Sequence, residues 1–152
     1  MKLIKYALFG MLVFLSTTLI AQDNHRFPKI EELHAQKWQI IIEQAQLTPK
    51  EIEVVQPVFM EHEQALWKLH QENREFFKSA MKNAKTVKPN FAVLNDRYVE
   101  NQVKEVKLFK EYHLKLRKLL QPETLFKYYN ADRQFKRKLL QDFQDHKAHD
   151  KR

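Results

Sequence analysis

Glycine is almost absent from this chain: Gly10 is the single glycine in 152 residues, and it lies near the start. Tight hairpin turns and phosphate-binding loops depend on glycine, because they need positive φ angles or a close approach of the backbone. The sequence therefore argues against a β-sandwich, a dinucleotide-binding fold and a phosphate loop. Cysteine is absent, which excludes disulfides, thiol catalysis and cysteine-ligated zinc.

The first 21 residues have the layout of a secretory signal peptide. Lys2 and Lys5 precede an apolar stretch from Tyr6 to Ile20, and Ala21 stands before a polar segment. An uncleaved anchor is the alternative, although a membrane span needs roughly 20 apolar residues. We expect cleavage after Ala21 and export to a bacterial periplasm, a compartment that argues against nucleic-acid binding.

Positive charge is concentrated in the second half of the chain. Residues 86–152 carry 16 basic and nine acidic side chains, whereas residues 22–85 carry nine basic and ten acidic ones. Such asymmetry favours acidic or phosphate-bearing partners on the C-terminal half, through attraction that salt screens.

Residues 22–145 are predicted to form one all-α domain of four helices, followed by a charged, disordered tail over 146–152. The helices are predicted from Pro28 to Gln46, from a cap at Thr48 to about Asn83, from about Asn90 to Leu120, and from Pro122 onward. Apolar residues recur at helical spacing on one face of each later helix: Ile52, Val55, Phe59, Leu66, Leu69 and Phe76; then Phe91, Leu94, Tyr98, Phe109, Tyr112, Leu116 and Leu119; then Leu125, Tyr128, Phe135 and Leu139.

Two helices of roughly 30 residues would each extend about 45 Å. We therefore expect an elongated, hairpin-like molecule without a deep pocket, which completes its burial by forming a homodimer.

One boundary motif occurs twice, 73 residues apart. The two copies are Leu47-Thr48-Pro49-Lys50-Glu51 and Leu120-Gln121-Pro122-Glu123-Thr124. In the first, Thr48 and Glu51 have the spacing of a capping box, and Pro49 suits the first helical position. This pair resembles the Leu-Thr-x-x-Gln (LTxxQ) repeats of the Spy/CpxP-like periplasmic family. The resemblance implies a four-helix, cradle-shaped antiparallel dimer that acts as an ATP-independent chaperone or as an envelope-stress and metal-responsive regulator.

The two copies depart from the family pattern. Glu51 replaces the glutamine of the first repeat and keeps the capping chemistry. Gln121 stands where threonine is expected and Thr124 where glutamine is expected, which predicts a cap weaker by about 0.5–1 kcal/mol.

Candidate residues for binding non-native chains lie off the core faces. They are Met60, Trp67, Arg74 and Met81 on the second helix, Val99, Val103 and Val106 on the third, and the basic residues Lys104, Lys107, Lys115, Lys118, Arg133, Lys136 and Arg137. Apolar groups beside positive charge suit the capture of acidic, unfolded clients. Burial in a subunit interface, or a merely solvated basic face, remains open as the alternative. The three isoleucines of the run Ile40-Ile41-Ile42 are also predicted not all to face one core.

Metal binding has one weak candidate, His146 with His149 and Asp150, in the predicted tail. His62 lies on the core face of the second helix, where a hydrogen-bonded core histidine is commoner than a ligand. No residues are placed as nucleophile, base and oxyanion donor, so we expect neither an enzyme nor a cofactor.

The leading hypothesis is an ATP-independent periplasmic chaperone that holds unfolded or misfolded envelope proteins on a basic, partly apolar helical surface. The alternative is an envelope-stress or metal-responsive sensor that binds one membrane-anchored signalling protein. A trimeric holdase of the Skp type is a third possibility, which the absence of a strand-rich assembly segment argues against. Binding to several unrelated clients would distinguish a chaperone from a sensor.

Overall fold

A computed structural model of the chain describes residues 29–82 and 87–149, and every regular element in these ranges is an α-helix. The helices are α1 (Ile30–Ala45), α2 (Pro49–Lys82), α3 (Phe91–Leu119) and α4 (Pro122–His149). The predicted all-α class with four helices is therefore confirmed. The predicted signal peptide and the predicted helix start at Pro28 lie outside the described residues.

α1 begins at Ile30, where the Glu32 carboxylate accepts a hydrogen bond from the backbone N–H of Lys29 at 3.2 Å. The N–H groups at the start of a helix have no acceptor within the helix, and this bond satisfies one of them. Gln46, predicted as the last helical residue, has a left-handed φ of 56°. The helix therefore ends one residue earlier than predicted.

α2 begins at the predicted capping box. Oγ1 of Thr48 accepts from the N–H of Glu51 at 3.3 Å, and the Glu51 carboxylate accepts from the N–H of Thr48 at 2.9 Å. Pro49 takes the first helical position, where its missing N–H costs nothing. The helix continues to Lys82 through Pro57, which cannot donate to the carbonyl four residues earlier.

The second copy of the motif begins α4 by backbone bonding. Pro122 takes the first helical position, and the N–H of Leu125 donates to the carbonyl of Gln121 at 2.9 Å. Within the described residues, no side-chain hydrogen bond joins Gln121 to Thr124. Leu47 and Leu120, the first residues of the two copies, are buried in the same core.

α4 extends beyond the predicted domain boundary at residue 145. Residues 146–149, predicted as part of a disordered tail, belong to the helix. The reason is that no glycine or proline follows Pro122, so nothing in the sequence interrupts the helical hydrogen bonds. Residues 150–152 lie outside the described ranges.

The four helices pack as two pairs, α1 with α4 and α2 with α3, and fewer contacts join the pairs. α2 and α3 run antiparallel, as three contacts show: Glu61 with Lys115, His70 with Glu105, and Asn73 with Asn101. The residue number of the contacting side chain on α3 decreases as the residue number on α2 increases.

One apolar core lies where the helix ends meet. Its most buried large side chains are Ile41, Val55, Phe59, Leu116 and Tyr128. Trp38 of α1 stacks on Phe59 of α2 with ring centroids 4.9 Å apart. Burial of one such side chain contributes about 1.5–3 kcal/mol to stability.

The isoleucine run on α1 is more buried than predicted. Ile41 is fully buried, and Ile40 and Ile42 pack against the same core. The prediction that the three do not face one core is wrong, because α1 contacts both α4 and α2 and so has a wide buried arc.

The predicted core faces are correct in part. The buried members are Val55, Phe59 and Leu69 on α2, Leu94, Tyr112 and Leu116 on α3, and Leu125, Tyr128 and Phe135 on α4. On α3, Phe91, Tyr98 and Phe109 are instead exposed. α3 packs along α2 and has little contact with α4, so only part of its apolar surface is covered.

A buried amide pair lies between α2 and α3. Asn101 is 2% exposed, and its Nδ2 donates to Oδ1 of Asn73. A buried amide without its partner costs about 1–3 kcal/mol. The pair therefore favours this register of α3 along α2, together with the contacts of Glu61 with Lys115 and His70 with Glu105.

Candidate functional site

The candidate residues on α2 fall into different surroundings. Met60 is partly buried against the apolar core, and its role in client binding stays a prediction. It lies one residue beyond Phe59, at the edge of the buried face. Trp67 is half-buried and has the Arg74 guanidinium 5.7 Å from its ring centroid. Met81, near the end of α2, is exposed.

The candidate valines on α3 are exposed, and aromatic residues extend the surface they form. Val106 has 66% of its surface accessible, and Val99 and Val103 are similarly open. At 100° per residue they lie about 60–140° around the helix from three exposed aromatic residues that were predicted to be buried, so the two stripes adjoin. We call this surface the α3 apolar face: Phe91, Tyr98, Val99, Val103, Val106 and Phe109.

Three of the candidate lysines are engaged in ion pairs. The nitrogen–oxygen distances are 2.8 Å for Lys104 with Glu100, 2.7 Å for Lys115 with Glu61 and 2.7 Å for Lys136 with Asp132. Arg133 donates to the Asn130 side chain. The pairs of Lys104 and Lys115 are exposed and contribute little to stability, so these two lysines can exchange partners, whereas the carboxylate of Asp132 is largely buried.

Lys107 is exposed beside the α3 apolar face, Lys118 is exposed further along α3, and Arg137 is exposed on α4. The described surface therefore presents apolar side chains with positive charge at their flank.

A pocket of about 190 Å³ opens where the two helix pairs join. All four helices line it, and we call it the junction pocket. Its lining includes Lys37, Glu63, Trp67, Phe109, Tyr129, Asp132 and Lys136. The sequence predicted no deep pocket, and it did not predict this opening, which residues of all four helices line.

A buried ammonium connects three helices beside this pocket. Nζ of Lys37 lies 2.7 Å from Oε1 of Glu63 and 2.7 Å from Oδ1 of Asp132. Oε2 of Glu63 lies 3.7 Å from Nε2 of His34, too far for a good hydrogen bond. Lys136 pairs with the other oxygen of Asp132. The Lys37 and Lys136 ammonium groups lower the pKa of the Asp132 carboxyl despite its burial.

Aromatic rings close the other side of the pocket. His62 stacks on Tyr112 with centroids 4.0 Å apart and planes within 3° of parallel. The hydroxyls of Tyr112 and Tyr128 are hydrogen-bonded to each other, and burial raises the pKa of both phenols. Burial also raises the pKa of Tyr129 to about 12, and Nδ1 of His113 lies 2.8 Å from its hydroxyl. These phenols are therefore neutral hydrogen-bonding groups near pH 7.

His62 is half-buried in this stack, and burial lowers its pKa to about 4. Lys37 and Lys136 lower it further, whereas Glu63 and Asp132 act in the opposite direction. The ring is therefore neutral near pH 7 and offers one donor and one acceptor.

The described residues contain no group of three or more metal-ligating side chains with suitable geometry. The weak candidate site is not tested by this, since the side chains of His146 and His149 and the whole of Asp150 lie outside the description. None of the four described helices is both long and apolar enough to cross a membrane.

Sequence reasoning did not identify the polar residues of the junction pocket, although a signal is present. Lys37 lies four residues before the buried Ile41. Glu63 and Asp132 each lie four residues after a buried aromatic, Phe59 and Tyr128. A residue four positions from a core residue lies on the same helix face. The spacing therefore indicates that Lys37, Glu63 and Asp132 lie on buried faces.

No known protein family, curated protein or solved structure matches the chain.

Proposed function

We propose that this protein is an ATP-independent chaperone of the bacterial periplasm, which holds unfolded or misfolded envelope proteins on the α3 apolar face. The observation that carries the proposal is the exposure of six large apolar side chains along one helix. Exposed apolar patches are a mark of interaction sites. The signal-peptide layout and the resemblance of the repeated motif to the Spy/CpxP-like family support the same proposal.

The charge beside this face supports capture of acidic segments. Lys107 is exposed at its flank and Lys118 is exposed further along the same helix, and the chain carries a formal net charge of +8. Long-range attraction raises the rate of encounter, whereas apolar burial determines how long a complex lasts.

We also propose that the protein is a cradle-shaped antiparallel homodimer. α2 has 34 residues and α1 has 16, so α2 extends about 27 Å further than α1 at 1.5 Å per residue. A second copy would pack against the part of α2 that α1 is too short to cover. Light scattering after size exclusion measures the mass, and a monomer at micromolar concentration would contradict the dimer.

The chaperone proposal is tested by light scattering from two unrelated denatured clients, with the purified protein at equimolar amounts and no ATP. Suppression of both aggregation reactions supports it. Suppression of neither, by a sample that circular dichroism shows to be helical, contradicts it. The sensor alternative predicts saturable binding to one membrane signalling protein and no general suppression.

A matched pair of variants tests the surface. Val99→Thr, Val103→Thr and Val106→Thr together remove apolar area from the α3 apolar face with little change of shape. Val54→Thr, Val87→Thr and Val93→Thr together change three exposed valines elsewhere. We expect the first set to weaken suppression and the second to leave it unchanged. Equal behaviour of the two sets would show that clients bind another surface.

A further inference from the structure

We propose that the junction pocket binds a small zwitterion, a molecule about the size of a free amino acid that carries one ammonium and one carboxylate group. This inference goes beyond the proposed chaperone function and rests mainly on other residues, although Phe109 belongs both to the α3 apolar face and to the pocket lining. It is argued from the charges at the two ends of the pocket and from its aromatic walls.

The inner end of the pocket has an excess of negative charge. The Lys37 ammonium is shared by two carboxylates, those of Glu63 and Asp132. Oε2 of Glu63 accepts no hydrogen bond from any described residue, since its neighbour, Nε2 of His34, is 3.7 Å away. The Glu63 side chain is nevertheless about nine-tenths buried. An ammonium group directed at Oε2 would balance the charge and donate to an oxygen that no described side chain reaches.

The outer end of the pocket is positive. The Lys136 side chain is 62% exposed and reaches Asp132 from the solvent side. Its ammonium can turn toward a ligand carboxylate without losing hydration. A simple anion would instead meet Glu63 and Asp132 at the inner end, and a simple cation would leave Lys136 without a new partner. A zwitterion with its ammonium inward matches both ends.

The walls of the pocket favour a ligand with a ring. Trp67, Phe109 and Tyr129 line it, and the faces of such rings attract an ammonium group and stack on a flat side chain. The volume of about 190 Å³ is below the roughly 300–1,000 Å³ of pockets for drug-sized ligands. A single aromatic amino acid is therefore a suitable probe.

The test uses three probes that differ only in charge. L-Phenylalanine carries both groups, phenethylamine lacks the carboxylate, and 3-phenylpropanoate lacks the ammonium. Titration calorimetry with the purified protein gives the affinities, and the indole N–H resonance of Trp67 reports binding within the pocket. We expect phenylalanine to bind most tightly and 3-phenylpropanoate most weakly.

Two variants separate the ends of the pocket. We expect Glu63→Gln to weaken phenylalanine binding about tenfold, since it removes a charge-assisted hydrogen bond. We expect Lys136→Gln to weaken phenylalanine about threefold and to leave phenethylamine unchanged. Lys127→Gln is the matched control, because Lys127 also pairs with an acidic residue four positions earlier on α4 but lies outside the pocket lining.

If Glu63→Gln does not fold, the comparison of Lys136→Gln with Lys127→Gln still tests the proposal. Phenethylamine binding as tightly as phenylalanine would overturn the proposal, as would equal affinities in Lys136→Gln and Lys127→Gln. Absence of both heat and a Trp67 shift with phenylalanine would also overturn it. Client suppression is a separate assay, so failure here would leave the proposed chaperone function intact.

Discussion

Nζ of Lys37 lies 2.7 Å from Oε1 of Glu63, and both side chains are buried where the apolar core ends. The same nitrogen lies 2.7 Å from Oδ1 of Asp132, so one ammonium joins α1 to α2 and α4. Loss of that charge would leave two largely buried carboxylates without their shared counterion.

We therefore expect Lys37→Met to lower the free energy of unfolding by about 3 kcal/mol, because breaking a buried pair costs roughly 3–5 kcal/mol. Urea unfolding followed by circular dichroism measures the change. Lys127→Met, which breaks the exposed pair with Glu123, is expected to cost less than about 1 kcal/mol. Similar small losses in both variants would show that the buried ammonium contributes no more than a surface one.

Acid is expected to destabilise the fold through His62. Its pKa is about 4 in the folded protein and near 6.5 when unfolded, so the unfolded chain binds more protons between these values. The stabilisation is fully present above pH 6.5 and is lost as the pH falls toward 4. The lowered pKa of Asp132 acts in the same direction at still lower pH.

The size of the acid effect is expected to be about 1–2 kcal/mol from His62, after allowance for the solvent that reaches this half-buried ring. Urea midpoints at pH 7.5, 5.5 and 4.5 measure it. His62→Phe keeps a ring on Tyr112 but cannot be protonated, so its midpoint should depend less on pH. An equal dependence in this variant would assign the acid effect to other groups.

The two copies of the boundary motif are expected to differ in strength. Thr48→Ala removes a side chain that accepts from the Glu51 N–H and should lower stability by about 1 kcal/mol. Gln121→Ala removes no such bond and should cost less than about 0.5 kcal/mol. Urea unfolding of both variants distinguishes them, and a larger loss in Gln121→Ala would contradict the unequal caps.

Client capture is expected to depend on salt. If the exposed lysines of α3 attract acidic clients, association should slow as ionic strength rises from about 0.01 M to 0.15 M, since the screening length falls from about 30 Å to 8 Å. Stopped-flow fluorescence with a labelled unfolded client measures the rate. Lys107→Gln with Lys118→Gln should reduce the salt dependence. A rate unaffected by salt would remove this role for the charge.

The helix starts were predictable because local chemistry determines them. Thr48, Pro49 and Glu51 interact within one turn, and Pro122 acts at its own position. The burial of α3 was less predictable. Apolar spacing identifies a face but not how much of it a neighbouring helix covers, so Phe91 and Tyr98 were placed in the core although they are exposed.

The junction pocket could be predicted only in part for a related reason. Spacing places Lys37, Glu63 and Asp132 on buried faces, but they come from three helices and are up to 95 positions apart in the chain. Single-sequence periodicity does not identify which faces meet. The ion pairs therefore became visible only once the helix pairs α1–α4 and α2–α3 were known.

The amide pair of Asn73 and Asn101 limits how the long helices can move. Sliding α3 by one turn, about 5.4 Å, would separate the two side chains and leave each amide unpaired between the helices, at about 1–3 kcal/mol apiece. The hydrogen bond between the two amides therefore opposes displacement of α3 along the axis of α2.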